Sequence, residues 1–178
     1  SGPAVVCPPP LGTPLALAQL CPPWQTIIGD PFLQRQNEPS LAVSTVNPLH
    51  LLAGANDYRA VDIPLPDVLP GSMAGDAWCG WFYSPDGGQS WQSTLLPGFP
   101  QDGSALGSNS PLKGYEFCSD PTVRPGPGGM FYYSGIVANR NSNQSIVFVA
   151  RFLDRNNSEK GNIGKNATSI KYIDTVAV

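Results

Sequence analysis

The chain has 178 residues, of which 41% are apolar and only 13% are charged, with a net charge of −3 and a pI near 4.9. The acidic balance argues against a nucleic-acid partner, whose phosphates require a basic surface, and no apolar run is long enough for a membrane-spanning helix. Glycine (19) and proline (20) exceed a fifth of the residues. Because both residues interrupt helices, the composition predicts an all-β fold of short strands joined by turns.

The N-terminal residues 1–36 are rich in proline, and we expect them to form an extended arm. Beyond them, apolar, aromatic and β-branched runs bounded by turn residues predict eight strands, at 39–46, 50–55, 78–83, 92–96, 117–123, 130–137, 144–154 and 169–178. Between these strands, a proline-punctuated insertion (60–77) and a Gly/Ser/Asn-rich stretch (102–114) are predicted loops.

Four cysteines without a CxxC spacing favour disulfides over a metal or redox site. Such a chain, poor in lysine, is typical of an oxidising, extracellular compartment, so we expect a secreted or cell-surface protein. The preferred pairing is Cys7 with Cys21, closing a proline-rich loop, and Cys79 with Cys118 within the strand region. Four cysteines allow three pairings, and buried free thiols are the alternative.

The segment SPDGGQSW, residues 84–91, lies between a strand-like run, WCGWFY, and the apolar STLL. Its Asp and Ser side chains can accept hydrogen bonds from turn amides, and glycine tolerates positive φ. These residues predict a hairpin loop longer than two residues. Trp91 is placed to fold its ring beneath the turn. The segment is interpreted as a structural turn.

The predicted strands form an internal repeat, with one copy at about 37–114 and the other at about 115–178. Glu38-Pro-Ser-Leu matches Asp120-Pro-Thr-Val, an offset of 82 positions. Each match is followed by a proline-containing turn and an apolar strand with a glycine near its end, Gly54 and Gly135, an offset of 81 positions. Repeats built of several strands are the mark of propellers and related arrays.

Together these features resemble the BNR or Asp-box repeat proteins, the sialidase-like β-propellers. The Asp box of that family runs Ser-x-Asp-x-Gly-x-Ser/Thr-Trp, and the sequence matches each defined position with Ser84, Asp86, Gly88, Ser90 and Trp91. The EPSLAV and SDPTV strand openings are also similar to those of secreted bacterial proteins described as exo-α-sialidase-like. The resemblance covers residues 37–178 and implies that the Asp box stabilises the outer edge of a blade, between its last two strands.

Propellers close with about four to eight blades of four strands, whereas this chain has two to three. The resemblance therefore implies an incomplete propeller, whose open strand edges pair with the rest of a longer protein or with other copies of the chain. The expected function is that of a non-catalytic structural, binding or self-assembly module with a carbohydrate or cell-surface partner. The alternative is part of a retaining exo-glycosidase of the sialidase type, with catalytic residues largely outside this chain.

Four residues are weak catalytic candidates. Glu38 and Asp120 occupy equivalent repeat positions, and a facing pair of carboxylates suits glycoside chemistry. Capping of the local backbone is the favoured interpretation for both. Arg59 and Arg140 also follow equivalent strands and could bind a substrate carboxylate. Pairing with Asp57, Asp62 or Asp154 is favoured for these arginines.

Other chemistry has weaker signals. Asp57, Asp62 and Asp67 are candidate calcium ligands, although a solvated loop is favoured and no cofactor is required. The single histidine, His50, has no nucleophile motif nearby. A set of aromatic residues could stack on sugars, but at alternating strand positions half of them are expected to be core: Trp24, Trp78, Trp81, Phe82, Tyr83, Trp91, Tyr132 and Tyr133.

Overall fold

The computed structural model describes residues 36–60, 76–156 and 170–178. These residues form two four-stranded antiparallel sheets, each with its strands in chain order, so the all-β prediction is confirmed. The first sheet comprises β1 (Gln36–Val43), β2 (Leu51–Asp57), β3 (Trp78–Ser84) and β4 (Gln92–Leu95). The second comprises β5 (Phe117–Pro125), β6 (Met130–Ala138), β7 (Ser145–Asp154) and β8 (Ile170–Ala177).

All eight predicted strands are present, with shifted ends. The first begins at Gln36 and stops at Val43, because the backbone turns through Asn47 before β2 begins. The predicted loop at 102–114 contains one short helix, α1 (Ala105–Ser108), which the Ser104 side chain caps by accepting a hydrogen bond from Gly107 N–H.

The sequence repeat corresponds to a bulge in the first strand of each sheet. Glu38 and Asp120 both adopt positive φ, 53° and 58°, where the register of β1 and β5 shifts. An extra residue with left-handed backbone is one way in which a bulge bends an edge strand. Strand pairing also corrects the repeat: Ser40 lies opposite Gly54, but Thr122 lies opposite Ser134. The second strands are therefore offset by 80 positions rather than 81.

The core lies between the two sheets. The Tyr133 ring of the second sheet packs onto Gly54 of the first, where an added Cβ would lie 2.5 Å from the ring. The Tyr133 hydroxyl donates a hydrogen bond to the Gly80 carbonyl at 3.0 Å. Burial, followed by the nearby Asp57 carboxylate, raises the pKa of Tyr133 well above its usual value. Trp81 packs against Phe152, with ring centroids 5.0 Å apart.

A disulfide joins the sheets. Cys79 in β3 and Cys118 in β5 are bonded, with a Cα–Cα distance of 5.2 Å, and both are fully buried. This half of the predicted pairing is confirmed, whereas Cys7 and Cys21 lie outside the described residues, as does nearly all of the predicted arm.

Candidate functional site

The Asp-box turn joins β3 to β4 and is held by its own side chains. The Ser84 hydroxyl donates to the Asp86 carboxylate at 2.9 Å and accepts the Gly88 N–H at 2.8 Å. The other end is fixed by Ser90, whose N–H and hydroxyl donate to Asp86 at 2.8 and 2.5 Å. The Trp91 indole N–H donates to the Gly88 carbonyl. Each defined residue of the motif therefore takes part in one local network.

The same hydrogen bonds set the charge of the turn. Those from Ser90, with weaker ones from Ser84 and Gln89, lower the pKa of Asp86 below its ordinary 3.8, against the opposing effect of desolvation. Two consecutive glycines, Gly87 and Gly88, supply the positive φ values of 73° and 92° that the turn requires. The Asp86 carboxylate thus acts as an anchor for the turn.

One asparagine links the two bulges. Asn56, buried in β2, donates to the Glu38 carboxylate at 2.9 Å and accepts the Asp120 N–H at 3.0 Å. Close by, the Ser40 hydroxyl accepts the Val123 N–H from the other sheet. The Glu38 carboxylate and the Asp120 backbone N–H therefore meet at this one asparagine.

Arg59 and Arg140 have different surroundings. Arg59 is 2% exposed and binds the buried Asp57 carboxylate through Nε and a terminal nitrogen, at 2.6 to 3.0 Å. It also donates to Ser93 and lies over the ring of Phe82. The bidentate geometry occupies both Asp57 oxygens, which were the candidate calcium ligands.

Arg140 lies at the surface, with 65% of its side chain exposed. It pairs with Asp76 and stacks over the ring of Phe117, 5.1 Å from the centroid. Its partner is thus not among the acids predicted for it. The described residues contain no group of three or more metal-ligating side chains, and Asp62 and Asp67 lie outside them.

A buried polar network around His50 was not predicted. The Asp154 carboxylate at the end of β7 accepts the Ser44 hydroxyl at 2.5 Å, His50 Nδ1 at 2.9 Å and the Asn156 N–H at 2.7 Å. Because the Asn47 amide nitrogen lies 3.1 Å from His50 Nε2 and can only donate, Nε2 is the acceptor and Nδ1–H the donor.

This network brings Ser, His and Asp together without the order that nucleophilic catalysis needs. The Ser44 hydroxyl donates to the same carboxylate that accepts His50 Nδ1–H, so serine and histidine both bond the aspartate instead of forming a Ser–His–Asp chain. All three side chains are buried, and the network joins the β1–β2 turn to the end of β7. A single histidine entering an apolar strand, and an acid ending the QSIVFVARFLD run, are the two signals that could have indicated it.

The aromatic candidates within the described residues are divided between core and partly exposed positions. Trp78, Tyr83 and Tyr133 are core, at 0 to 2% exposure. Trp81 is half-buried and lines a pocket of about 250 Å³ between the sheets, together with Tyr172 of β8. Its remaining walls come from β4 and the following loop: Thr94, Leu95, Pro97, Phe99, Asp102, Ser104 and Leu106.

No protein-family model matches the chain, and a comparison with curated proteins finds no significant match. Among the described residues, no helix is both long and apolar enough to cross a membrane.

Proposed function

We propose that this chain is a non-catalytic binding and assembly module made of two adjacent sialidase-like propeller blades, in a secreted or cell-surface protein. The observation that carries the proposal is the repetition of one unit: two sheets of four antiparallel strands in chain order, each with an acid-Pro bulge in its first strand. Propeller blades are four-stranded sheets of this kind. The Asp-box turn lies between the last two strands of the first sheet, as the resemblance implies.

The way in which the sheets pack supports a repeating array. The face of the first sheet that carries Gly54 and Trp81 packs against the second sheet. There, Gly54 contacts Tyr133 and Trp81 contacts Phe152. By the observed register, Ser134 in β6 is the counterpart of Gly54. The face of the second sheet on which Ser134 lies points away from the first, where a third blade would pack.

That outer face carries apolar side chains at adjacent cross-strand positions. Ile136 pairs with Val147, and Val149 pairs with Val176. Ile136, Val147 and Val176 are 37 to 50% exposed. Exposed apolar sheet faces and unpaired edges are sites of association, so we assign this face to contact with a further blade of the same kind.

The polar candidates have scaffold roles that fit a non-catalytic module. Arg59 neutralises the buried Asp57, and Asn56 ties Glu38 to the backbone of the second bulge. The disulfide between Cys79 and Cys118 suits an oxidising compartment. Each of these contacts stabilises the fold without requiring a substrate.

Association is tested by sedimentation over a range of concentrations, with Val147→Lys on the outer face and Leu106→Lys as a control. Leu106 is 62% exposed in α1 and lines the pocket between the sheets rather than the outer face. We expect self-association that Val147→Lys weakens and Leu106→Lys preserves. A monodisperse monomer at every concentration would contradict the assembly role.

Catalysis is tested with fluorogenic sialosides and neutral glycosides. The proposal expects no turnover that depends on Glu38 or Asp120. Hydrolysis that is lost in Glu38→Gln, while the variant keeps its unfolding midpoint, would show that the module is an enzyme and would overturn its non-catalytic assignment.

A further inference from the structure

We propose that the pocket between the sheets binds a single neutral pyranose ring. This inference rests on the proposed function, since it gives the binding module a ligand class. Both pocket rings are braced by the same buried residue: Phe152 lies 5.0 Å from Trp81 and 5.6 Å from Tyr172 between ring centroids. The apolar face of a sugar ring stacks on such fixed aromatic surfaces, because its C–H groups present apolar area.

Unpartnered polar groups accompany these rings. The indole N–H of Trp78 donates to Leu96, and that of Trp91 donates to Gly88. Among the described residues, the Trp81 indole N–H donates to no protein acceptor. The Thr94 hydroxyl likewise has no protein partner there, and Thr94 lies directly opposite Trp81 across β3 and β4. One N–H donor and one hydroxyl are therefore available beside the aromatic surface, and a sugar hydroxyl can satisfy both.

Charge narrows the ligand class. Asp102 is the one charged residue lining the pocket in the described part of the chain. Its carboxylate accepts the N–H groups of Gly98 and Ser104, each at 2.9 Å. Because the described lining residues include this carboxylate and no cation, the pocket disfavours acidic sugars. The remaining lone pairs of the carboxylate can accept neutral hydroxyls. The pocket thus favours a neutral sugar over a sialic or uronic acid.

The loop wall is built before any ligand arrives. Lys113 donates from Nζ to the carbonyls of Phe99, Pro100 and Asp102. Gly107 lies so close to Asp102 that an added Cβ would overlap the carboxylate. A pre-formed wall lowers the ordering cost of binding. The volume of about 250 Å³ lies below the range of about 300–1,000 Å³ for drug-sized ligands, which suits one ring.

The experiment titrates the full chain with the methyl glycosides of glucose, galactose, mannose and N-acetylglucosamine, using saturation-transfer NMR and tryptophan fluorescence. Sialic acid and glucuronic acid serve as acidic counterparts. We expect saturable binding of at least one neutral sugar, with a Kd in the millimolar range that a small ligand permits.

The variants are Trp81→Phe, which keeps a ring but removes the N–H, and Thr94→Val, which removes the hydroxyl at equal size. Each should weaken binding about tenfold, the effect of one lost hydrogen bond. The matched controls, Trp91→Phe and Thr122→Val, change residues outside the pocket and should leave Kd within about twofold.

Three outcomes overturn the inference: no saturable neutral-sugar binding by the folded chain, equal binding of acidic sugars, or equal effects of pocket and control variants. None of these contradicts the proposed module, which fails instead if sedimentation detects no association or if Glu38-dependent turnover is found. The two failures are therefore distinguishable.

Discussion

Replacing Asp154 with asparagine should strongly destabilise the protein. The Asp154 carboxylate is buried and accepts hydrogen bonds from Ser44, His50 and the Asn156 backbone. Asp154→Asn preserves the shape of the side chain but removes its charge and one acceptor oxygen. Donors that meet at this carboxylate would then be left buried with poorer partners or none.

The expected loss follows from that geometry. Hydrogen bonds to a charged group contribute about 1.5–3 kcal/mol each, but bonds that share one carboxylate are not additive. Leaving one buried donor unsatisfied costs about 1–3 kcal/mol, and because several donors share this carboxylate we expect a loss of unfolding free energy of about 2–4 kcal/mol. Asp174→Asn is the matched control, because the Asp174 carboxylate also accepts hydrogen bonds from another side chain, that of Arg151, but at the surface, with side-chain exposures of 44% for Arg151 and 39% for Asp174. Its loss should stay below about 1 kcal/mol.

Urea unfolding of the disulfide-intact chain, followed by tryptophan fluorescence, measures both variants. Equal slopes of unfolding free energy against urea would show that only stability has changed. Equal losses for the two variants, or a loss below about 1 kcal/mol for Asp154→Asn, would refute the assignment of the His50 network as the buried joint between the sheets.

Three further predictions use the same urea assay. Reduction of Cys79–Cys118 should cost about 4 kcal/mol, since the bond closes a separation of 39 residues; an unchanged midpoint would contradict this. Asp86→Asn should lower the midpoint at neutral pH, because the depressed pKa contributes stability fully above the unfolded value of 3.8 and loses it as pH falls through the folded value; a deficit that persists in strong acid would argue against it. Gly54→Ala should cost about 1–3 kcal/mol through its clash with a core ring, whereas Gly103→Ala, with nothing within 4 Å, should be neutral; similar losses would exclude the clash.

Local chemistry made much of the fold predictable. Strand periods, proline and glycine placed all eight strands, and the Asp-box spacing predicted a hairpin turn whose side chains bond within eight residues. The repeat of Glu38 and Asp120 was readable because an acid-Pro pair marks each bulge. The strands, the turn and the bulges all depend on residues that are close along the chain, so they can be predicted from the sequence.

Other features depend on residues far apart in the chain. Nothing near His50 indicates Asp154, which lies 104 positions away, and nothing in β2 indicates that Asn56 would bridge two bulges. The one-residue correction of the repeat has the same origin, since pairing across strands fixes register.

Patterns along the chain predict an all-β protein with two related halves, an Asp-box turn and cysteines suited to a disulfide. The contacts between those halves emerge only in the folded molecule: Tyr133 on Gly54, the carboxylate of Asp154 against His50, and the aromatic pocket beside Trp81. The two kinds of feature differ in the range over which their interactions act. Propensity and turn chemistry act over a few residues, whereas burial and hydrogen bonding between sheets select partners by shape across the whole chain.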